Sequence, residues 1–367
     1  MVTRREFTGS VAAAGALVVL HSCTSGAADE DYLAAVRSTW RHTNGALNNP
    51  TALKRELVRY ATLAPSSHNT QCWKFRIENE TISILPDVSR RCPAVDPDNH
   101  HLFVSLGCAA ENLTQAALAN GLHSNAAVEL SAVGGIRLEL EATKSVSTPL
   151  FQAIPERQCT RADYDGTSIS TVELRMLEAA GGGTGVRVML LTQPAALENV
   201  LEFVVQANTN QMNDQAFLRE LKAWIRFNAS DAMRTNDGLF SATSGNPSVP
   251  TWVGRTGFKM FFRTNSENDK YAKHVRSSAG VAVFIADVAD RAHWIEVGRS
   301  YERFALQATA LGIRNAFLNQ PVERPEVRSQ FASFLGVEGR RPDLVVRFGR
   351  GPRLPQSLRR PVSQVLA

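Results

Sequence analysis

LGCAAENLTQAALANGL (Leu106–Leu122) and VGRSYERFALQATALGI (Val297–Ile313) decide how this 367-residue chain is organised. In each, a glycine is followed four residues on by a glutamate and ten residues later by a second glycine. The first set is Gly107, Glu111 and Gly121; the second is Gly298, Glu302 and Gly312, offset by 191 residues throughout. Leu113 matches Phe304, Ala117 matches Ala308 and Ala119 matches Ala310 at the same offset. Both segments read as Ala- and Leu-rich helices ending at a glycine, which can take the left-handed cap conformation. Small residues along them would let another helix approach closely. Strand-like material follows each, so the pattern reads as an internal duplication.

Working outward, residues 1–30 form a leader region, 31–148 a first half and 149–367 a second half. In the first half, Leu53–Ala64 is a helix stopped by Pro65, and Trp73–Asp87 is a β-hairpin turning at Asn79–Glu80. VELSAVGGIRLELEA adds two more strands. In the second half, TVELRMLEAAGG is a helix, and GVRVMLLT, AVFIADV and DLVVRFGRG are strands. Helices alternate with strands in both halves, so the class is α/β or α+β. Residues 230–262 are rich in Gly, Ser, Thr and Pro and too long for a simple connection; they read as a lid over a site.

Composition narrows the function. With 44% hydrophobic residues the chain can bury a large core. The net charge of +5 is scattered, with no long basic run, so a nucleic-acid partner is not expected. The leader has Arg4–Arg5, then Phe7, then an apolar run to Leu20 too short to span a bilayer. It resembles a twin-arginine signal, and Leu20–Cys23 resembles a lipobox with Cys23 as the residue to be acylated. The implied partners are the twin-arginine translocase and a membrane lipid anchor, and the implied location is periplasmic or anchored on the outer side of the cytoplasmic membrane. The five cysteines form no C-x-x-C pair and no metal pattern. His100–His101 are neighbours on a helix, point to different faces, and read as surface or cap positions; no metal site is expected. There is no G-x-S-x-G elbow.

One junction is unusually polar: APSSHNTQCWKF (Ala64–Phe75), between the first helix and the hairpin. A turn capped by Ser or Asn side chains accounts for part of it, but not for the Gln-x-Trp that follows. The stretch resembles the flavin-contacting segment of the nitroreductase superfamily, with Cys72 where that family usually has proline. IPERQCTRADYD (Ile154–Asp165) resembles the family's R-x-[ST]-x-R pattern, with Arg157 and Arg161 at the basic positions and Cys159 in place of a hydroxyl residue. SLRRPVSQVL resembles its C-terminal basic segment, with Arg359 and Arg360. The order of blocks resembles the fused two-half (Acg-like) branch.

That resemblance implies a nitroreductase-like α+β fold of two fused pseudo-symmetric halves, each a β-sheet flanked by helices, and FMN as cofactor. Arg157, Arg161, Arg359 and Arg360 would meet the phosphate, because planar guanidinium groups suit a dianion. Pro65, Ser66, Ser67, Asn69 and Gln71 would meet the ring, with Cys159 beside the phosphate. Asn319 and Gln320 would lie where the family's backbone N–H groups reach ring atom N5. The first half keeps the serine–asparagine segment and the second keeps the arginines. One composite site per chain is therefore expected, with its pseudo-symmetric counterpart dead. The expected function is an FMN-dependent oxidoreductase with a small-molecule electron donor and acceptor. The alternatives are a protein that sequesters FMN without turnover and an interaction module without flavin. Fusion removes the usual reason to dimerise, so a monomer is expected.

Overall fold

The structure is a computed structural model describing residues 28–43, 45, 47, 49–129 and 134–367. Arg4, Arg5 and Cys23, with the signal and lipobox readings, lie outside the described residues. Helices α1 (28–39) and α2 (Pro50–Thr62) lead into the hairpin β1 (Trp73–Ile77) and β2 (Thr81–Pro86). Then come α3 (His100–Ala119), β3 (Leu122–Glu129) and β4 (Gly135–Ala142). A short α4 (Pro149–Ala153) precedes α5 (Thr171–Gly181) and β5 (Val186–Leu191). Next are α6 (Pro194–Asn213), α7 (Gln215–Trp224), β6 (Ile225–Arg226), α8 (Ala229–Thr235) and β7 (Leu239–Phe240). They are followed by α9 (Thr251–Phe261), α10 (Thr264–Arg276), β8 (Gly280–Ala286), α11 (Arg291–Ala310) and β9 (Arg314–Phe317). The chain closes with α12 (Gln320–Glu323), α13 (Pro325–Phe334), β10 (Pro342–Gly349) and α14 (Val362–Val365).

The fold is α+β. One antiparallel sheet has the order β1-β2-β4-β3 and the other β5-β8-β10-β9. With β5 set on β1, β8 on β2, β9 on β3 and β10 on β4, the two orders are the same. The connections differ: a tight turn joins β1 to β2, whereas α6 to α10 intervene between β5 and β8.

Helices α3 and α11 are the innermost elements. Most of α3 is buried all round, and apart from Glu111 it carries no Asp, Glu, Lys or Arg, as a helix in an interior must be. The two pack against each other through the glycines of the repeat. A methyl group on Gly107 would lie 2.0 Å from the Ile295 carbonyl oxygen, and one on Gly298 would lie 2.0 Å from that of Val104. Val104 and Ile295 are themselves offset by 191 residues, so the contact is reciprocal. No side chain larger than hydrogen fits at either point.

The second half reaches back over the first. Leu366 forms a parallel bridge with Phe75, and the Ala367 N–H donates to the Phe75 carbonyl at 2.8 Å. The Tyr32 hydroxyl and the Trp40 indole N–H donate to the carbonyls of Gln356 and Ser357. Each half therefore supplies walls to the space between them. The lid range 230–262 carries two helices, α8 and α9. Cys72, Cys92, Cys108 and Cys159 are all free.

Candidate cofactor site

The turn after α2 does not continue as a helix because Pro65 cannot donate. It then takes three left-handed residues, at His68 (φ 49°), Asn69 (φ 53°) and Gln71 (φ 54°). Such backbone is uncommon outside glycine and persists only when the surroundings fix it. Here they do. The Ser66 Oγ accepts from the Gln71 N–H at 2.8 Å. The Asn69 amide donates to the Gly238 and Leu358 carbonyls, and the Gln71 amide donates to the Asn236 carbonyl while accepting from the Arg360 N–H.

This turn forms one wall of a cleft with two lobes. The larger, about 230 Å³, is lined by Pro65, Ser66 and Ser67 from the first half and by Arg161, Asn319 and Gln320 from the second. The smaller, about 70 Å³, is lined by Asn69, Arg157, Cys159, Arg161, Ser357 and Arg359. Pro65, Ser66, Arg161, Leu239 and Phe317 border both lobes, so the two are continuous. Ten of the twelve residues picked from sequence border the cleft. Gln71 and Arg360 sit behind it: Gln71 is wholly buried, and the Arg360 guanidinium donates to the Gln71 and Trp73 carbonyls.

The four arginines divide into two kinds. Arg359 donates to the carbonyls of Thr62, Leu63 and Ala64 at 2.7, 3.2 and 3.1 Å, and to the Asn69 side chain at 3.0 Å. These are the orphan carbonyls at the end of α2, where a cation is also favoured by the helix dipole. Arg157 is buried too; it donates to the Leu63 carbonyl at 2.9 Å and faces Glu302 across 3.1 Å. Its Nη1 has no protein partner. Burial pushes the Glu302 carboxyl up to about 7, with Arg157 pulling the other way. Arg161 is different: half-buried, bordering both lobes, and making no hydrogen bond or ion pair among the described residues.

Arg161, Lys270 and Arg347 line the larger lobe beside Glu267 and Glu323. Burial, then Arg161, lowers His68 to about 4; burial, then Arg347 and Lys270, lowers His274 to about 3. Glu267, Lys270, Tyr271 and His274 line the larger lobe from α10. Their spacing of three, four and seven residues puts them on one helix face, a signal sequence reading could have used. Asn319 accepts from the Val345 N–H at 3.0 Å, while Gln320 keeps a buried Oε1 without a partner.

His100 and His101 correct the surface or cap reading. His100 is wholly buried with Nε2 2.8 Å from Asp343, and His101 borders the larger lobe with neither ring nitrogen partnered. The reason is that α3 is enclosed on every side, so adjacent residues both face protein.

The counterpart of this site in the other half is filled. The equivalent corner after α5 is Gly181–Gly183, and a methyl on Gly183 would lie 2.3 Å from the Ser300 Oγ. Glu111 there faces Arg299 at 3.3 Å and Arg303 at 3.1 Å, and Arg303 also donates to the Gly182 carbonyl.

No family model matches the chain. It is similar to a Mycobacterium tuberculosis protein, from strains H37Rv and CDC 1551, that is provisionally named an NAD(P)H nitroreductase. The identity is 23% over 333 residues, covering 85% of this chain and 90% of the relative. Among solved structures, it is similar to a Bacteroides fragilis nitroreductase with bound FMN at 17% identity, with a TM-score of 0.37, covering 58% of this chain and 95% of that one. An FMN-dependent nitroreductase of Mycobacterium smegmatis in complex with NADPH shows 16% identity and a TM-score of 0.37, covering 57% of this chain and 94% of that one. The similarity to the mycobacterial relatives is spread over most of both chains.

Proposed function

We propose that the chain is an FMN-dependent oxidoreductase of nitroreductase type, with one FMN in the composite cleft and a reduced nicotinamide as donor. The observation that carries this reading is the two-lobed cleft itself. It joins a strained Ser/Asn turn of one half to an unpartnered arginine of the other.

The residues fit the cofactor. The smaller lobe offers the unpartnered Nη1 of Arg157 and the free guanidinium of Arg161, which suit a phosphate. The larger lobe offers Ala316, Phe317 and Leu318 as an apolar wall and Gln320 with an unused acceptor, which suit a flat ring with one polar edge. Bound FMN would supply hydride acceptance and donation. The chain binds and orients the cofactor: Phe217, Leu221 and Phe262 add apolar lining to the larger lobe. Arg359 and Arg157 hold the end of α2 so that Ser66 and Ser67 face the cleft. A nitro compound or quinone is the acceptor class.

The matching strand orders and the reciprocal glycine contact support a duplicated chain, the fused branch of the superfamily. The filled counterpart supports a single site and a monomer. We extend the proposal to export by the twin-arginine route on the leader motif alone.

A second reading, FMN sequestration, is favoured by one observation: Leu239, Ser244, Asn246 and Phe262, from in and around the 230–262 segment, wall the cleft. Anaerobic titration of the FMN-loaded protein with NADH and NADPH separates the two. Bleaching of the flavin followed by reoxidation with a nitroaromatic or quinone supports the enzyme; a flavin that stays oxidised supports the store.

A further inference from the structure

His68, Cys92 and Glu220 come from three separate parts of the chain. His68 lies in the turn after α2, Cys92 in the segment before α3, and Glu220 on α7 of the insertion. They offer one ligand atom each, and these atoms all lie within 4.8 Å of one another. Each has capacity that the protein leaves unused. The His68 Nε2 and the Glu220 Oε1 are buried without partners, and the Cys92 side chain is only 3% exposed. The other oxygen of Glu220 accepts from the Ala94 N–H at 2.9 Å, which fixes the carboxylate. Around the trio the packing is apolar, with Cys92 in one cluster with Phe217, Leu221 and Phe227. Leaving a buried polar atom unsatisfied is costly, so two together need an explanation. The left-handed backbone of His68 adds local strain at the same point.

We propose that His68, Cys92 and Glu220 form a zinc site that clamps α7 of the insertion to the turn carrying Ser66 and Ser67. A thiolate, an imidazole and a carboxylate are the donor types zinc takes, and a fourth position is left for water on the side of the larger lobe, which His68 lines. Donors around a tetrahedral zinc stand roughly 3.3–3.8 Å apart. Without a cation, burial and then Glu220 push the Cys92 thiol up, and burial raises Glu220. On binding, the S–H bond breaks, a Zn–S bond forms, and the proton leaves to the buffer. Asp96 and Glu323 add negative charge near Cys92, against Arg161 beyond His68. The site does not depend on the flavin reading.

The test is the metal content of the full chain after dialysis, followed by calorimetric titration with Zn²⁺ in two buffers of different ionisation enthalpy. Unfolding midpoints are recorded alongside. The expected result is about one zinc per chain with net proton release. Cys92→Ser and, independently, Glu220→Gln should weaken binding by about tenfold or more. His101→Gln is the control, because Asp96, His100 and His101 also bring ligand atoms within 4.8 Å of one another. Zinc that fails to bind, that binds Cys92→Ser and Glu220→Gln as tightly as the parent, or that is lost only in His101→Gln overturns the proposal. If Cys92→Ser does not fold, the folded Glu220→Gln protein decides.

Discussion

The Nε of Arg359 donates to the carbonyl oxygen of Thr62 at 2.7 Å, joining the C-terminal segment to the end of α2 across 297 residues. Arg359 and Arg161 both border the smaller lobe, yet only Arg359 is committed to the fold. Arg359→Met should lower unfolding free energy by about 3 kcal/mol, since it orphans several buried carbonyls at once. Arg161→Met should leave it within about 0.5 kcal/mol, as for an uncommitted side chain. The same Arg161 change should weaken FMN binding by about tenfold or more, the loss of one charge-assisted phosphate contact. Denaturant unfolding and fluorescence titration with FMN check the contrast; a large stability loss at Arg161 would contradict it.

Gly298→Ala and Gly107→Ala each put a methyl 2.0 Å from a backbone carbonyl oxygen of the facing helix. Backbone cannot step aside as a flexible side chain would. Each change should cost about 1–3 kcal/mol by overpacking, and the two should be similar because the contact is reciprocal. Chemical denaturation of both variants reads this directly. A neutral result at either position would mean that the helices do not cross there.

Burial pushes the Asp343 carboxyl up from 3.8 to about 7, and holds its partner His100 well below the usual imidazole range. The folded protein therefore keeps this proton to higher pH than the unfolded chain. The stability it contributes is fully present below about pH 4 and is lost as pH rises through about 7. Glu302, also pushed up to about 7, acts in the same direction, so the comparison must be differential. Asp343→Asn should flatten the decline in stability between those limits. Unfolding midpoints across that range check it; an unchanged slope would contradict the assignment.

Much of this was legible in the sequence. The offset of 191 residues carried the close contact between α3 and α11, because only glycine permits it and glycine is visible as a letter. The turn after α2 was legible through its Pro and polar run, and the hairpin through its alternation. The strand read from VELSAVGG begins earlier than that stretch: β3 starts at Leu122, directly after the helix, and pairs along β4 through Val128 and Glu129. The burial of His100 was hidden because it comes from Trp294 on α11 and Asp343 on β10, far away in sequence. The same holds for Arg359. Its letter suggested an anion partner, while its nearest acceptors are carbonyls, which every residue carries and no sequence pattern marks.

The central claim is a single composite flavin site, and the visible spectrum of the purified chain with released flavin quantified tests it most directly. The account predicts a yellow protein with about one FMN per chain, falling in Arg161→Met. Two flavins per chain would contradict the filled counterpart at Glu111 and Arg303, and a colourless chain that takes up no added FMN would contradict the site altogether.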